Sequence, residues 1–330
     1  MSSVLPSASL PPPTASWGNY LKMARLDHMT KHVFILPGLV LAYALRTPSL
    51  QDAWWAILLG FASAVLIASS NYIINEWLDR EFDAFHPDKS SRPAVNMTMS
   101  AQRVYVAYAL ASVVGLAPAY AVNPVFFAIS ILFRVSGVVY NVKPLRSKDK
   151  AYLDVLSESL NNPIRMMLGW AMIDPSTIAP SSLLLAYWMG GAFLMGAKRL
   201  SEYREIAAGP GVAVLHRYRR SFRHYTEEKL MVSCFVYAMF STFLMGVFLV
   251  KYRIEYVLAF PFIILLFAHY LSLSMRSGSV AQKPEKLFRE KRLMLISALT
   301  VAALVLLSFV DVPALGSFTV PYFVPVAKAA

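Results

Sequence analysis

Cysteine is nearly absent from this 330-residue chain: Cys234 stands alone, so no disulfide can form within it. The six histidines fall at no metal-ligand spacing, which argues against a zinc site. No glycine-rich phosphate loop of the Walker or dinucleotide type occurs, and no Ser/His/Asp signature. Acidic residues are scarce, 19 Asp and Glu against 31 Lys and Arg, for a net charge of +12. A basic chain invites a nucleic-acid reading. These charges, however, border apolar runs and carry no nucleic-acid-binding motif, so no such partner is expected. Residues 1–16 are rich in Pro and Ser and have no basic stretch leading into an apolar core. They read as part of a disordered tail, 1–18, rather than a signal peptide.

What the chain has in plenty is apolar surface. Hydrophobic residues make up 57% of it and the mean hydropathy is +0.51, too apolar for an ordinary soluble protein of this length. Apolar runs recur near 33–46, 53–75, 104–122, 124–140, 152–173, 182–197, 230–250, 254–275 and 293–310. Several approach the roughly 20 residues that span a bilayer. The expectation is an all-α polytopic membrane protein of about nine transmembrane helices. It has one domain at 19–312 and a C-terminal tail at 313–330. Most Lys and Arg lie in the N-terminal flank or after runs two, four, six and eight; Arg46, Lys251, Arg253 and Lys328 lie on the other side. Basic residues stay cytoplasmic, so the N-terminus is expected inside and the C-terminus outside, in a membrane such as the bacterial inner membrane.

The second run ends in Asn75-Glu76-Trp77-Leu78-Asp79-Arg80-Glu81-Phe82-Asp83, followed by His86-Pro87, Lys89 and Arg92-Pro93. Asn75, Asp79 and Asp83 lie four apart and share one helical face. Carboxylates at a bilayer boundary are costly without partners. A row of hard oxygen ligands suits Mg²⁺ bridged to a diphosphate, and Lys89 and Arg92 stand ready to neutralise the same phosphates. Two further polar segments are expected on the same side. Tyr140-Asn141-Val142-Lys143-Pro144-Leu145-Arg146 follows run four, and Lys198-Arg199-Leu200-Ser201-Glu202 follows run six. Acids and bases would then gather at one cytoplasmic mouth, suited to an anionic, metal-bound soluble donor, with a lipid arriving from the bilayer. The arginine-rich stretch 217–223 reads as a membrane-surface anchor. Run five carries Asp154, Glu158, Asn161, Asn162 and Arg165, polar groups that cannot face lipid and are expected to line a chamber, with a break at Asn161-Asn162-Pro163.

The Asn-acid-x-x-Asp-x-x-x-Asp pattern with its His-Pro and Arg-Pro sequel resembles the UbiA superfamily of intramembrane transferases. Within that superfamily the chain is similar to the decaprenyl-phosphate phosphoribosyltransferase branch. The likeness runs through Arg25–Val33, the Glu81–Pro93 segment, Ile164-Arg165 with Gly169, and Gly196–Glu202. Typical prenyltransferases of the superfamily carry a second Asp-rich motif where this chain has Lys198-Arg199. Glu76 stands where Asp is usual.

The resemblance implies nine helices around a central cavity. It implies Mg²⁺, or alternatively Mn²⁺, on Asp79 and Asp83 with Asn75 and Glu76 as accessory ligands. A phosphoribosyl group would pass from 5-phosphoribosyl diphosphate to a polyprenyl phosphate lipid with loss of pyrophosphate. Asp79, Asp83, Lys89 and Arg92 would be catalytic. Asn75, Lys31, Tyr140, Lys143, Arg146, Asp154, Glu158, Arg165, Lys198, Arg199 and Glu202 would hold substrates. One alternative is transfer of an isoprenoid from its diphosphate to an aromatic or other acceptor. Another is a transporter, which the lack of inverted-repeat symmetry disfavours.

Overall fold

The computed structural model describes residues 13–46, 53–276, 278–282, 284–318 and 320. Its regular structure among the described residues is helical, apart from an isolated bridge between Thr14 and Thr98. The α-helices are α1 (Trp17–Met23), α2 (Leu36–Arg46), α3 (Ala53–Asp83), α4 (Pro93–Asn96), α5 (Ala101–Val122), α6 (Pro124–Asn141) and α7 (Leu153–Ser159). They continue with α8 (Asn161–Ile173), α9 (Ser181–Ala208), α10 (Val212–Tyr218), α11 (Glu227–Tyr252), α12 (Phe260–Ser274) and α13 (Lys291–Leu307). A 3-10 segment, Leu26–Ile35, runs directly into α2.

Among the described residues, six helical stretches are long and apolar enough to cross a membrane. They are Trp17–Arg46, Ala53–Asp83, Ala101–Val122, Pro124–Asn141, Glu227–Tyr252 and Ile254–Ser274. This is an integral membrane protein, but nine spans of that kind are not seen. Run five is two short helices, α7 and α8, meeting at Leu160 beside the expected break. Run nine yields only 17 helical residues, and α9 is long but polar beyond its middle. The outward surface is apolar, with Trp54, Val113, Tyr120, Phe235 and Phe243 all more than half exposed, as a lipid-facing surface requires.

The chain divides into two compact units. The first comprises residues 1–157, 164–177 and 209–224. Its core is α3 packed on α5 and α6. Ser63 Oγ donates to the Gly115 carbonyl at 2.8 Å, and a Cβ on Gly115 would stand 2.9 Å from Ile67, so glycine is what lets α5 lie against α3. At the α2–α8 crossing, a Cβ on Gly169 would strike the Ile35 carbonyl, and one on Gly38 the Met166 carbonyl. Residues 13–18 were expected in a disordered tail. Instead Ala15 is buried with Tyr20, Met23, Trp77 and Ala94, and its N–H donates to the Thr98 carbonyl. Residues 1–12 lie outside the described set.

The second unit comprises residues 158–163, 178–208 and 225–330. Here α9 packs along α11, and Gly196 lies against Cys234. The Phe193 ring meets those of Phe267 and Tyr270 at a tilt, and Ser241 Oγ donates to the Ala186 carbonyl at 2.9 Å. The guanidinium of Arg253 ties the end of α11 to the Leu307 carbonyl at 2.6 Å and to Asp311 at 2.9 Å. Part of the expected C-terminal tail, Pro313–Phe318, forms a 3-10 turn; 321–330 lie outside the described residues.

Candidate active site

The last two turns of α3 build the first cluster. Apolar residues carry the helix through the first unit, and its polar end, Asn75 to Asp83, continues helical because neither Gly nor Pro interrupts it. Asn75 Nδ2 donates to Asn141 Oδ1 at 2.5 Å. Asp79 Oδ1 accepts from Arg146 Nη2 at 2.8 Å and lies 2.6 Å from Lys148 Nζ. Asp83 pairs with Arg92. The expected face of α3 therefore forms, and each of its three residues meets a partner from another segment.

Arg146 is aimed by its backbone. Its φ of 27° and ψ of 60° turn the chain sharply after α6, a conformation that costs a non-glycine residue energy. The turned side chain reaches Asp79 and also donates to Asp149 at 3.1 Å and to the Asn141 carbonyl at 3.0 Å. Lys148 donates to Asn141 Oδ1 at 2.7 Å and is only 4% exposed. Burial lowers its pKa to about 8, against the opposing pull of Asp79. Lys148 and Asn141 were not singled out from the sequence. Lys148 is one of several basic residues in its loop, and its burial is what sets it apart.

The segment 209–224 adds a second layer to this unit. Arg219 Nη2 donates to the Tyr140 hydroxyl at 2.7 Å, and its Nε lies 3.4 Å from Asp154. Ser221 Oγ donates to Asp154 Oδ2 at 3.0 Å, and Asp154 is fully buried. Lys89 hydrogen-bonds the Tyr218 hydroxyl, and the His86 ring packs edge-on against Tyr218 at 4.3 Å. His86 Nδ1 accepts from the Asp88 and Lys89 N–H groups, which leaves its other nitrogen, Nε2, as the protonated one. The 217–223 stretch is therefore not simply a surface anchor: Arg219 turns inward, while the Arg220 side chain stays half exposed 3.8 Å from Asp149.

Several expected contacts are not made. Lys143 is exposed and takes no part in the Asp79 cluster. Glu76 is 3% exposed, and its Oε1 accepts from the Ala94 N–H at 3.4 Å, with Arg92, Arg25 and Asp83 among the charges that act on it. Lys31 stands over the Tyr72 ring at 5.3 Å, and Arg165 over Phe133 at 5.0 Å.

The second unit has its own charged cluster. Arg199 is 1% exposed and donates to Glu202 at 2.9 Å and to Glu158 at 2.7 Å. Lys198 to Glu202 lie inside α9 rather than after it, because the helix runs on to Ala208. Glu158 and Asp154 sit one turn apart on α7, yet each serves a different arginine.

The fold and these clusters define a polytopic helical membrane protein that keeps carboxylates and cations at a helix end. The sequence model of the UbiA prenyltransferase family matches residues 34–299, and the chain belongs to that family. It is 29% identical over 198 residues to a protoheme IX farnesyltransferase of Geobacillus sp. (strain WCH70), a match covering 57% of this chain and 60% of that protein. With the protoheme IX farnesyltransferase of Alkalihalophilus pseudofirmus the identity is 26% over 237 residues, 67% of this chain and 73% of the relative. A UbiA homologue from Archaeoglobus fulgidus, solved with DMAPP and Mg²⁺, superposes with a TM-score of 0.65 at 21% identity, covering 88% of this chain and all of the other. A solved digeranylgeranylglyceryl phosphate synthase gives 0.60 at 12% identity. At these identities the structures speak to the fold alone. Both of these curated relatives are named protoheme IX farnesyltransferase, not phosphoribosyltransferase.

Proposed function

We propose that this protein is an intramembrane transferase that moves an isoprenoid from its diphosphate to an acceptor held in the bilayer, releasing pyrophosphate. The observation that carries the reading is the Asp79–Asp83 end of α3, where two carboxylates are ringed by Arg146, Lys148 and Arg92. Cations gathered from separate segments around two neighbouring carboxylates suit a metal-bound diphosphate.

The donor set fits a divalent cation bound in part by substrate. Among the described residues no three His, Cys, Asp or Glu side chains converge as a complete metal site. Mg²⁺ is commonly held by one or two carboxylates together with substrate phosphates and water. Asp79 and Asp83 would hold it, with Asn75 orienting Asn141 beside them; Mn²⁺ is an alternative. When bound, the metal would stabilise charge building on the departing pyrophosphate. Arg92, Lys89, Arg146 and Lys148 would share that work, as fixed donors aimed at developing negative charge. Tyr140 and Asp154 would hold Arg219 in place. The site would open to the cytoplasm, with the N-terminus inside.

A second reading keeps the phosphoribosyl donor and a polyprenyl phosphate acceptor. One observation favours it: Glu158 and Glu202 are both engaged by Arg199, so they offer no second acidic metal site for a prenyl diphosphate. Membranes containing the protein, Mg²⁺ and either farnesyl diphosphate or 5-phosphoribosyl diphosphate would separate the two. Pyrophosphate release with the prenyl donor alone supports the first reading; release with the phosphoribosyl donor alone supports the second; release with neither overturns both.

A further inference from the structure

Asn141, the last residue of α6, is 2% exposed. Its Nδ2 donates to the Gly137 carbonyl one turn back at 2.8 Å. With the amide nitrogen committed there, Oδ1 is the atom turned towards Asn75 and Lys148, and it accepts from them at 2.5 and 2.7 Å. An amide oxygen has two lone pairs, and both are used. The main-chain carbonyl of Asn141 accepts from Arg146 at 3.0 Å. One residue therefore holds both cations that meet Asp79.

The contact between α3 and α6 brings Asn141 to this place. A Cβ on Gly137 would stand 2.2 Å from Asn71 Oδ1, so glycine is what admits the Asn71 side chain against α6. Asn71 Nδ2 donates to the Phe133 carbonyl at 3.2 Å, and Asn75, one turn further along the same face of α3, reaches Asn141. Two amides of α3 thus set the register of α6, and with it the point at which Asn141 meets the loop carrying Arg146 and Lys148.

The residue type matters. An aspartate at 141 would also hold the lysine, but its charge would cancel the charge it held, and it would have no N–H for the Gly137 carbonyl. A leucine of the same shape would leave Lys148 with Asp79 alone. A neutral carbonyl fixes the ammonium and leaves its charge available to a phosphate. Lys148 has three N–H groups, of which Asp79 and Asn141 take two. When a ligand occupies Asp79, Asn141 still holds the lysine in place.

We propose that Asn141 is a positioning residue for the diphosphate of the donor: its neutral side-chain carbonyl keeps the Lys148 ammonium aimed at the Asp79 end of α3, where the phosphates bind. The proposal rests on the transferase reading above and deepens it with a residue outside the acidic motif.

The test is a double-mutant cycle on the full-length protein in nanodiscs. The probe is inorganic pyrophosphate with Mg²⁺, the group that either donor would share, and the readout is its dissociation constant. Lys148→Met should weaken binding about tenfold or more, and Asn141→Leu about fivefold or more, as loss of a charge-assisted contact allows. The double variant should be no more than about twofold weaker than Lys148→Met, because residues that act through one contact are not additive. An amide with a merely structural role would give losses that multiply. Asn123→Ala is the control. Asn123 caps the other end of α6 by accepting from the Phe126 N–H at 2.7 Å, so its loss should lower the unfolding midpoint and leave binding within about twofold of wild type. Should Asn141→Leu not fold, Asn141→Ser enters the same cycle under the same criterion. Multiplying losses overturn the proposal. So does a loss in Asn123→Ala as large as that at 141, since any loosening of α6 would then suffice. Lys148→Met binding like wild type overturns it without any variant at 141. Pyrophosphate release from farnesyl diphosphate and from 5-phosphoribosyl diphosphate is measured in parallel. Coupled binding losses without release from either donor sink the transferase reading and leave the role of Asn141 in diphosphate binding standing; release without coupling does the reverse.

Discussion

Two clusters of carboxylate and cation differ in how they are balanced. At the end of α3, Asp79 is met by Arg146 and Lys148 and Asp83 by Arg92, with Arg219 also acting on Asp79. Arg146 also serves Asp149 and Arg219 also serves Asp154, and Asp79 keeps 18% of its side chain exposed. In the second unit one arginine, Arg199, is divided between Glu158 and Glu202, and Arg199 and Glu202 are each 2% exposed at the side chain. In the first cluster, cations from separate segments converge on Asp79. In the second, one cation is shared by two acids, of which Glu158 keeps 25% of its side chain exposed. Similar residue types are thus partnered differently, and we read the first cluster as the proposed binding site and the second as a structural lock.

The largest effect should separate the two at once. Asp79→Asn and Asp83→Asn should each abolish turnover, because loss of a metal ligand removes several kcal/mol of leaving-group stabilisation. The protein should still insert and fold, as checked by size-exclusion profile in detergent. Normal turnover in either variant, or full activity in chelator, would sink the metal assignment.

Next in size is the lock. Arg199→Ala takes the arginine away from two carboxylates, one of them only 2% exposed, and should destabilise the fold by about 3–5 kcal/mol. The sequence pattern alone suggests a different outcome, a raised KM for the donor. A thermal unfolding midpoint equal to wild type, together with a raised KM, would show that Arg199 touches substrate and that the comparison above is wrong.

Smaller effects are expected from the cations of the first cluster. Arg146→Ala and Lys148→Ala should each weaken donor binding by roughly 1.5–3 kcal/mol, the usual worth of a charged hydrogen bond. The effect should appear in KM more than in kcat if the contact is made equally in ground and transition states. Lys143→Ala, by contrast, should change neither by more than about 0.5 kcal/mol, since the side chain is exposed outside the cluster.

Lys148 also gives the first cluster a pH dependence. Its ammonium is protonated below about 8 and then competes with a metal for Asp79. As pH rises through about 8 the lysine loses its charge and the competition falls. The Mg²⁺ concentration for half-maximal activity should therefore decrease between pH 7 and 9 in the wild type and not in Lys148→Arg, which stays charged. The stability sign follows from the same shift. A lysine whose folded pKa lies below its unfolded 10.5 penalises the folded state fully below about 8, and the penalty fades as pH climbs towards 10.5. An identical Mg²⁺ dependence in both proteins would remove Lys148 from the site.

The sequence by itself determined the solvent, the helical class and the first acidic face. Long apolar runs have to be helices in a bilayer, since no other single segment satisfies its own backbone there. The spacing of Asn75, Asp79 and Asp83 puts them on one face wherever the helix continues, and it does continue to Asp83. The break beside Asn161-Asn162-Pro163 was legible for the same local reason. What only the tertiary structure decided was partnership. Lys143 and Lys148 are five residues apart in one basic loop, yet one is exposed and the other buried on Asp79. The left-handed turn at Arg146 and the packing of the loop set that difference. Asp154 and Glu158 occupy one helix, yet take Arg219 and Arg199 from distant parts of the chain. Helical periodicity fixes which face a residue occupies. Which charge it meets depends on contacts between segments far apart in sequence, and in a low-dielectric interior that meeting decides whether a carboxylate binds a ligand or only holds the fold together.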